Sequence, residues 1–127
     1  MINKPHEVTA RVVIQFNRNM LSDLATYYGG GCTLNELRIM NQVILCSHEG
    51  RTCGVTNLHK VTGIPIPTVS RAVTNLQKDG WLSSRLDADD GRKRKISLGP
   101  RSLAGTWDAI DKKVQWINDF REFGLPA

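Results

Sequence analysis

No stretch of this 127-residue sequence approaches the ~20 uninterrupted apolar residues that a membrane-spanning helix needs. The opening residues Met1-Ile2-Asn3-Lys4-Pro5-His6-Glu7 also lack the apolar stretch of a secretory signal, so a cytoplasmic location is expected. Cysteine is scarce. Cys32, Cys46 and Cys53 are odd in number and contain no C-x-x-C pair, which argues against a disulfide framework and predicts reduced thiols. Catalytic signatures are missing too: there is no Ser–His–Asp arrangement, no phosphate-binding glycine loop and no His-Glu-x-x-His. His6, His48 and His59 offer no evident catalytic pairing. Gly29-Gly30-Gly31 lies between two helical patterns rather than after a strand, and reads as a hinge. The expectation is a chain that is not an enzyme and carries no cofactor. Apart from that glycine triplet, no repeat or low-complexity segment occurs.

Cys46, His48, Cys53 and His59 are close in sequence, but their spacing fits no standard zinc pattern, so no metal site is expected. Cys46 falls where a helix end meets the core and reads as a small buried hydrophobe. A redox switch needs an exposed thiol of lowered pKa, and only Cys32 and Cys53, both in loops, qualify.

What is present is basic. The net charge is +5 and the pI about 9.4, which favours a polyanionic partner. The charge is concentrated: Arg92-Lys93-Arg94-Lys95 form an unbroken cationic run, with Arg85 and Arg101 outside it. The length fits a single domain over 1–127, mostly helical.

Apolar spacing predicts the elements. Val12, Phe16, Met20, Leu24 and Tyr27 mark a helix over 8–28, with Val13, Leu21 and Tyr28 widening its stripe. Thr33 is placed to cap a second helix, with Glu36 completing a capping box; Leu34, Leu37, Met40, Val43 and Ile44 would face its core. A short helix over 56–62, with Leu58 and Val61 inward, ends at Gly63. Ile64-Pro65-Ile66-Pro67 cannot continue it and forms a turn. Pro67 then opens a helix over 67–79 that buries Val69, Ala72, Val73 and Leu76. From residue 81 the apolar period drops from 3.6 to 2: strands over 81–86 and 94–98 flank the tight-turn dipeptide Asp90-Gly91. A last helix over 101–123 carries Leu103, Trp107, Ile110, Val114 and Ile117 at alternating four- and three-residue steps, a seam for another helix.

A short helix, a turn and a helix with a polar outer face make the helix-turn-helix plan, and the basic hairpin after it makes a winged one. Such a helix fits a major groove, its N-terminal side chains against base edges. Thr68, Ser70 and Arg71 hold that position here. Thr74, Asn75 and Lys78 lie further along and suit phosphates, which position without specifying. Arg71 can fork onto guanine O6 and N7. Arg92, Lys93, Arg94 and Lys95 would follow the backbone, with an arginine entering the minor groove. One of Asp87, Asp89 and Asp90 is expected to pair with a wing arginine and orient it.

The residues from Thr68 to Leu82, ending Leu76-Gln77-Lys78-Asp79-Gly80, followed by Asp90-Gly91-Arg92 and Ile96-Ser97-Leu98, resemble the multiple antibiotic resistance regulator (MarR) family. The resemblance covers about residues 33–98. It implies that Asp90 braces the wing and that Arg92 reaches the minor groove. It implies a homodimer on a pseudo-palindromic operator, acting as a repressor, with release by a small, often phenolic effector bound between the dimer helices and the DNA-binding lobe. Family members have two helices after the wing, whereas one nearly exhausts this sequence. Dimerisation is therefore expected to rest on 8–28 and 101–123, through Phe16, Met20, Leu103, Trp107, Ile110, Val114 and Ile117, leaving 33–98 as the lobe for double-stranded DNA. Two rivals stay open: a winged-helix module that binds another protein, and a metal- or thiol-responsive DNA-binding sensor.

Overall fold

A threonine fixes where the second helix begins. Thr33 takes an extended backbone, its hydroxyl accepts from the Glu36 N–H at 3.1 Å, and the Glu36 carboxylate accepts from the Thr33 N–H at 3.1 Å. Two amide groups that the first turn would otherwise leave unpaired are satisfied reciprocally. The computed structural model describes residues 4–29, 31–89, 91 and 93–123. Its elements are α1 (Lys4–Tyr28), α2 (Leu34–His48), α3 (Val55–Thr62), α4 (Ile66–Lys78), β1 (Leu82–Leu86), β2 (Arg94–Leu98) and α5 (Pro100–Phe123). The chain is thus mostly helical with one antiparallel hairpin. It divides into two compact units, residues 32–106 and residues 1–31 with 107–127; α5 starts in the former and runs on into the latter.

Residues 32–106 close a core of their own. Ile39, Met40 and Val43 of α2, Leu58 of α3, Val69, Val73 and Leu76 of α4, and Leu82 and Ile96 of the hairpin are all buried. The four residues expected to line α4 do so. The expected stripe on α2 needs correction. Leu34 is 70% exposed, Leu37 and Ile44 are only half-buried, and the buried face is instead Glu36, Ile39, Met40, Val43 and Cys46. This helix has apolar residues on two faces, and α3, α4 and β2 cover only one of them. Val61 is likewise corrected: it is 56% exposed, and Ile64, just past the cap, takes the inward place after Leu58.

Glycine sets the stops. Gly63 ends α3 at φ +75°, its N–H on the His59 carbonyl. Gly80 ends α4 at φ +82°, and the Trp81 N–H reaches back to the Leu76 carbonyl at 2.9 Å, a Schellman closure. Helix α4 starts one residue before Pro67, which sits in its first turn where a missing N–H is harmless.

The hairpin pairs Leu82 with Leu98, Ser84 with Ile96 and Leu86 with Arg94. Cys53 adds a single bridge to the other edge of Ile96. At the root, the Gly99 N–H bonds the Trp81 carbonyl, and so does the Ser102 hydroxyl, at 2.6 Å. A Cβ on Gly99 would lie 2.4 Å from the Gly80 carbonyl oxygen, so only glycine fits there without moving the backbone.

In the other unit, Phe16 of α1 stacks on Trp116 of α5 with ring centroids 5.2 Å apart, and Lys113 pairs with Asp23 at 3.6 Å. No described residue of this unit is fully buried. No helix of the described chain is long and apolar enough to cross a membrane.

Candidate nucleic-acid interface

The turn between α3 and α4 is held from three directions. The His59 imidazole Nδ1 bonds the Ile64 carbonyl at 2.7 Å, which requires the proton on Nδ1. The Thr62 hydroxyl accepts from the Ile64 N–H at 3.2 Å and donates to the Leu58 carbonyl. The Arg38 guanidinium of α2 donates to the Thr62 carbonyl. These bonds fix α4 against α3, and so fix which face of α4 turns to solvent.

That face is polar. Ser70, Arg71, Thr74, Asn75 and Lys78 are exposed and Thr68 is half-buried. Thr74 is partly spent, because its hydroxyl donates to the Ser70 carbonyl one turn back. The hairpin is tied to the same helix: the Ser84 hydroxyl of β1 donates to Gln77 Oε1 of α4 at 2.8 Å. Sequence reasoning passed over Gln77 and Ser84, since nothing in their spacing marks a cross-element bond.

Between α4, the start of α3 and the hairpin lies a cleft of about 680 Å³. Ser70, Asn57 and Gly54 line it from the helices, and Lys93, Arg94 and Lys95 from the hairpin. Gly54 caps α3 with no side-chain bond to the first-turn amides. Asp87 lines the same cleft, so three cations and an uncapped helix N-terminus stand against one carboxylate and leave the lining net positive. The structure thus brings Ser70 together with Lys93, Arg94 and Lys95, while Arg71, Asn75 and Lys78 occupy the outer face of α4. Asp90 and Arg92 lie outside the described residues. Near them, Asp87 closes the hairpin by donating its N–H to the Lys93 carbonyl, and its carboxylate accepts from the Asp89 N–H at 2.8 Å.

The residues expected at a dimer surface separate into two groups. Phe16 and Met20 are half-buried and border, with Trp116, a cleft of about 280 Å³ within their own unit. Along α5, Leu103, Val114 and Ile117 are exposed, Trp107 is partly so, and Ile110 is half-buried. On α1 the exposed apolar residues are Val13, Ile14 and Leu21.

The cysteines require a correction. Cys46 and Cys53, expected as free thiols, are joined in a disulfide, and Cys32 alone is free. The two approach because the chain reverses at Gly50, φ +75°, a fold-back that their seven-residue separation does not reveal. Among the described residues no three metal-ligating side chains converge.

Three helices with a turn of this kind, followed by a two-stranded ribbon, define the winged helix-turn-helix fold. Comparison with known proteins agrees. Residues 45–85 match the family model of the IclR helix-turn-helix domain. HTH-type transcriptional regulator TsaQ1/TsaQ2 of Comamonas testosteroni is 34% identical over 73 residues, 58% of this chain and 24% of that protein. The chain therefore spans about a quarter of the length of that curated relative. A probable transcriptional regulator from Pseudomonas aeruginosa superposes with a TM-score of 0.55 at 23% identity, over 91% of this chain and 83% of that one. A MepR variant of S. aureus bound to an oligodeoxyribonucleotide gives 0.69 at 13% identity, over 95% and 81%. PcaV, a transcriptional regulator of Streptomyces coelicolor in complex with its natural ligand, gives 0.55 at 15%, over 93% and 80%. The matched domain model is that of IclR rather than of the MarR family that the sequence pattern resembles; the helix-turn-helix is common to both. Residues 45–85 thus form a helix-turn-helix similar to those of transcriptional regulators. The relatives with a stated role are transcriptional regulators.

Proposed function

We propose that this chain is a MarR-like, sequence-specific transcriptional regulator, a repressor that binds double-stranded DNA as a homodimer on a pseudo-palindromic operator. The observation that carries this reading is the shared cleft: Ser70 from the polar face of α4 and Lys93, Arg94 and Lys95 from the hairpin line it together. Helix α4 enters a major groove with Arg71 on base edges. Thr68 and Ser70 lie beside it, and Asn75, Thr74 and Lys78 run along the phosphates. Lys93, Arg94 and Lys95 follow the adjacent backbone, with Arg92 toward the minor groove and Asp90 bracing the hairpin tip. The oligodeoxyribonucleotide held by the MepR variant supports the use of this fold on DNA.

The exposed apolar faces of α1 and α5 support a homodimer, since an isolated chain would leave Ile14, 67% exposed, and Ile117, 41% exposed, in water. Two recognition helices would then read half-sites about one helical turn apart. Release by a small effector draws support from the ligand complex of PcaV.

Selection of bound sequences from random duplex DNA tests the proposal, with a palindromic consensus as the expected outcome. On the selected duplex, Arg71→Ala should lose about 1–3 kcal/mol of discrimination. Lys93→Ala should weaken binding to all sequences and flatten the salt dependence. Affinity that is insensitive to salt and sequence would instead favour a protein-binding module.

A further inference from the structure

We propose that the surface that meets DNA continues from the cleft across the outer face of the hairpin, where Arg85 and Lys95 clamp one backbone phosphate between them. The proposal rests on the DNA-binding reading above and adds β1 to it.

Side chains alternate along a strand, so each strand of the hairpin has an inner and an outer set. In the inner set, Leu82, Ile96 and Leu98 are buried in the core, and the Ser84 hydroxyl donates to Gln77 of α4. The outer set is Ser83 and Arg85 of β1, directly opposite Ser97 and Lys95 of β2. Cys53 bridges Ile96 in antiparallel sense on the other edge of β2, which places Thr52 beside Ser97 and Gly54 beside Lys95. Two rows therefore cross this face. One is made of hydroxyls, Ser83, Ser97 and Thr52. The other is made of cations, Arg85 and Lys95, and ends on a residue without a side chain.

Neither row contains an apolar or an acidic residue. Arg85 and Thr52 are exposed, and Ser83, Lys95 and Ser97 are half-buried. Among the described residues, none of these side chains makes a hydrogen bond or an ion pair. The next carboxylate toward the tip is that of Asp87, which already accepts from the Asp89 N–H at 2.8 Å.

The opposed cations point to an anion. Residues directly opposite on an antiparallel pair have Cβ atoms about 4.5–5.5 Å apart, and like charges there repel. An anion held between them turns that repulsion into two attractions. A phosphodiester fits the pair: the Arg85 guanidinium forks onto two of its oxygens, and the Lys95 ammonium meets it as a point charge from the other strand. The hydroxyl row lies two residues along each strand, about 6.7 Å away by the rise per residue, and donates to the next part of the sugar–phosphate chain. Continuity identifies the source of the phosphate. Lys95 also lines the cleft that holds Ser70 of α4, so the cations run unbroken from the start of the recognition helix to β1. A DNA strand seated in the cleft reaches Lys95 and then Arg85. A separate acidic protein would have no reason to share Lys95 with the cleft.

The test uses the full chain and the duplex selected above. Arg85→Gln should weaken binding to the selected and to a random duplex alike, about fivefold, and flatten the slope of log affinity against log salt by about one unit. Arg85→Lys should restore most of that slope. Lys95→Gln should act in the same direction, and the double variant should lose less than the two single losses combined, because the pair shares one phosphate. Ethylation of that phosphate should hinder the wild type and make no difference to Arg85→Gln. Without DNA, at low salt, Arg85→Gln should melt no lower than the wild type, since one of two facing cations has gone. A clearly lower melting temperature would make Arg85 a structural residue and overturn the proposal. Unchanged affinity and slope in Arg85→Gln, with the wild type bound to the duplex, would overturn it and leave the DNA-binding reading intact. So would unchanged duplex affinity with lost retention on poly-glutamate, which would mark this face as one for an acidic protein. A wild-type chain that binds no duplex would overturn the DNA-binding reading, and this proposal with it.

Discussion

Residues 32–106 hold every buried apolar side chain described, from Ile39 to Leu98, whereas α1 and residues 107–119 of α5 hold none. Both regions have amphipathic helices with regular apolar spacing. The first folds four kinds of surface onto one another, with α2, α3, α4 and the hairpin each covering part of its neighbours. The second has two helices, which give Phe16 and Trp116 one another and leave Val13, Ile14, Val114 and Ile117 outward. Apolar periodicity therefore marks where a helix could be buried, but not whether its own chain supplies the cover.

The sharpest way to break that contrast is to empty the closed core. Leu58 is fully buried on the shortest helix. Leu58→Ala should destabilise residues 32–106 by about 2–5 kcal/mol in urea unfolding followed by circular dichroism. A loss much below this would mean that the core is less self-sufficient than described. Next in size is the open face. Val114→Glu together with Ile117→Glu should weaken self-association about a hundredfold in sedimentation experiments. Helix content should be unchanged, because neither side chain is buried within its own chain. Unfolding of the whole chain by this pair would erase the distinction between the two regions. The smallest effect belongs to the helix start. Thr33→Ala removes one half of the capping box and should cost about 1 kcal/mol, with DNA affinity retained at temperatures well below the transition.

Most of the fold is legible in the sequence wherever a signal is local. Thr33 and Glu36 are three residues apart, and Gly63 and Gly80 directly follow the helices they end. The return strand 94–98 needs only alternation. What is not legible depends on which neighbour arrives. Leu34 and Ile39 are equally apolar, and only the placement of α3, α4 and β2 decides that Ile39 is inside. The same holds at the candidate site. The outward residues of α4 follow from its buried stripe, but the Ser84–Gln77 bond and the Cys46–Cys53 link do not, since each joins elements that are separate in pattern. Phe16 shows the same. Its helical spacing is plain in the sequence, but the ring contact with Trp116 of the same chain is not.

Gly99 admits no side chain, and the backbone around it binds Trp81 and the first turn of α5. Toward the other end of the ribbon, the Asp87 N–H bonds the Lys93 carbonyl. The hairpin is thus an exchangeable cartridge with a fixed socket. The tip between the strands could be replaced by a loop from another winged helix while the socket at 80–82 and 99–102 stays whole. On the proposed reading, a new tip would change the contact beside the minor groove and leave the face of α4 proposed for the major groove as it is.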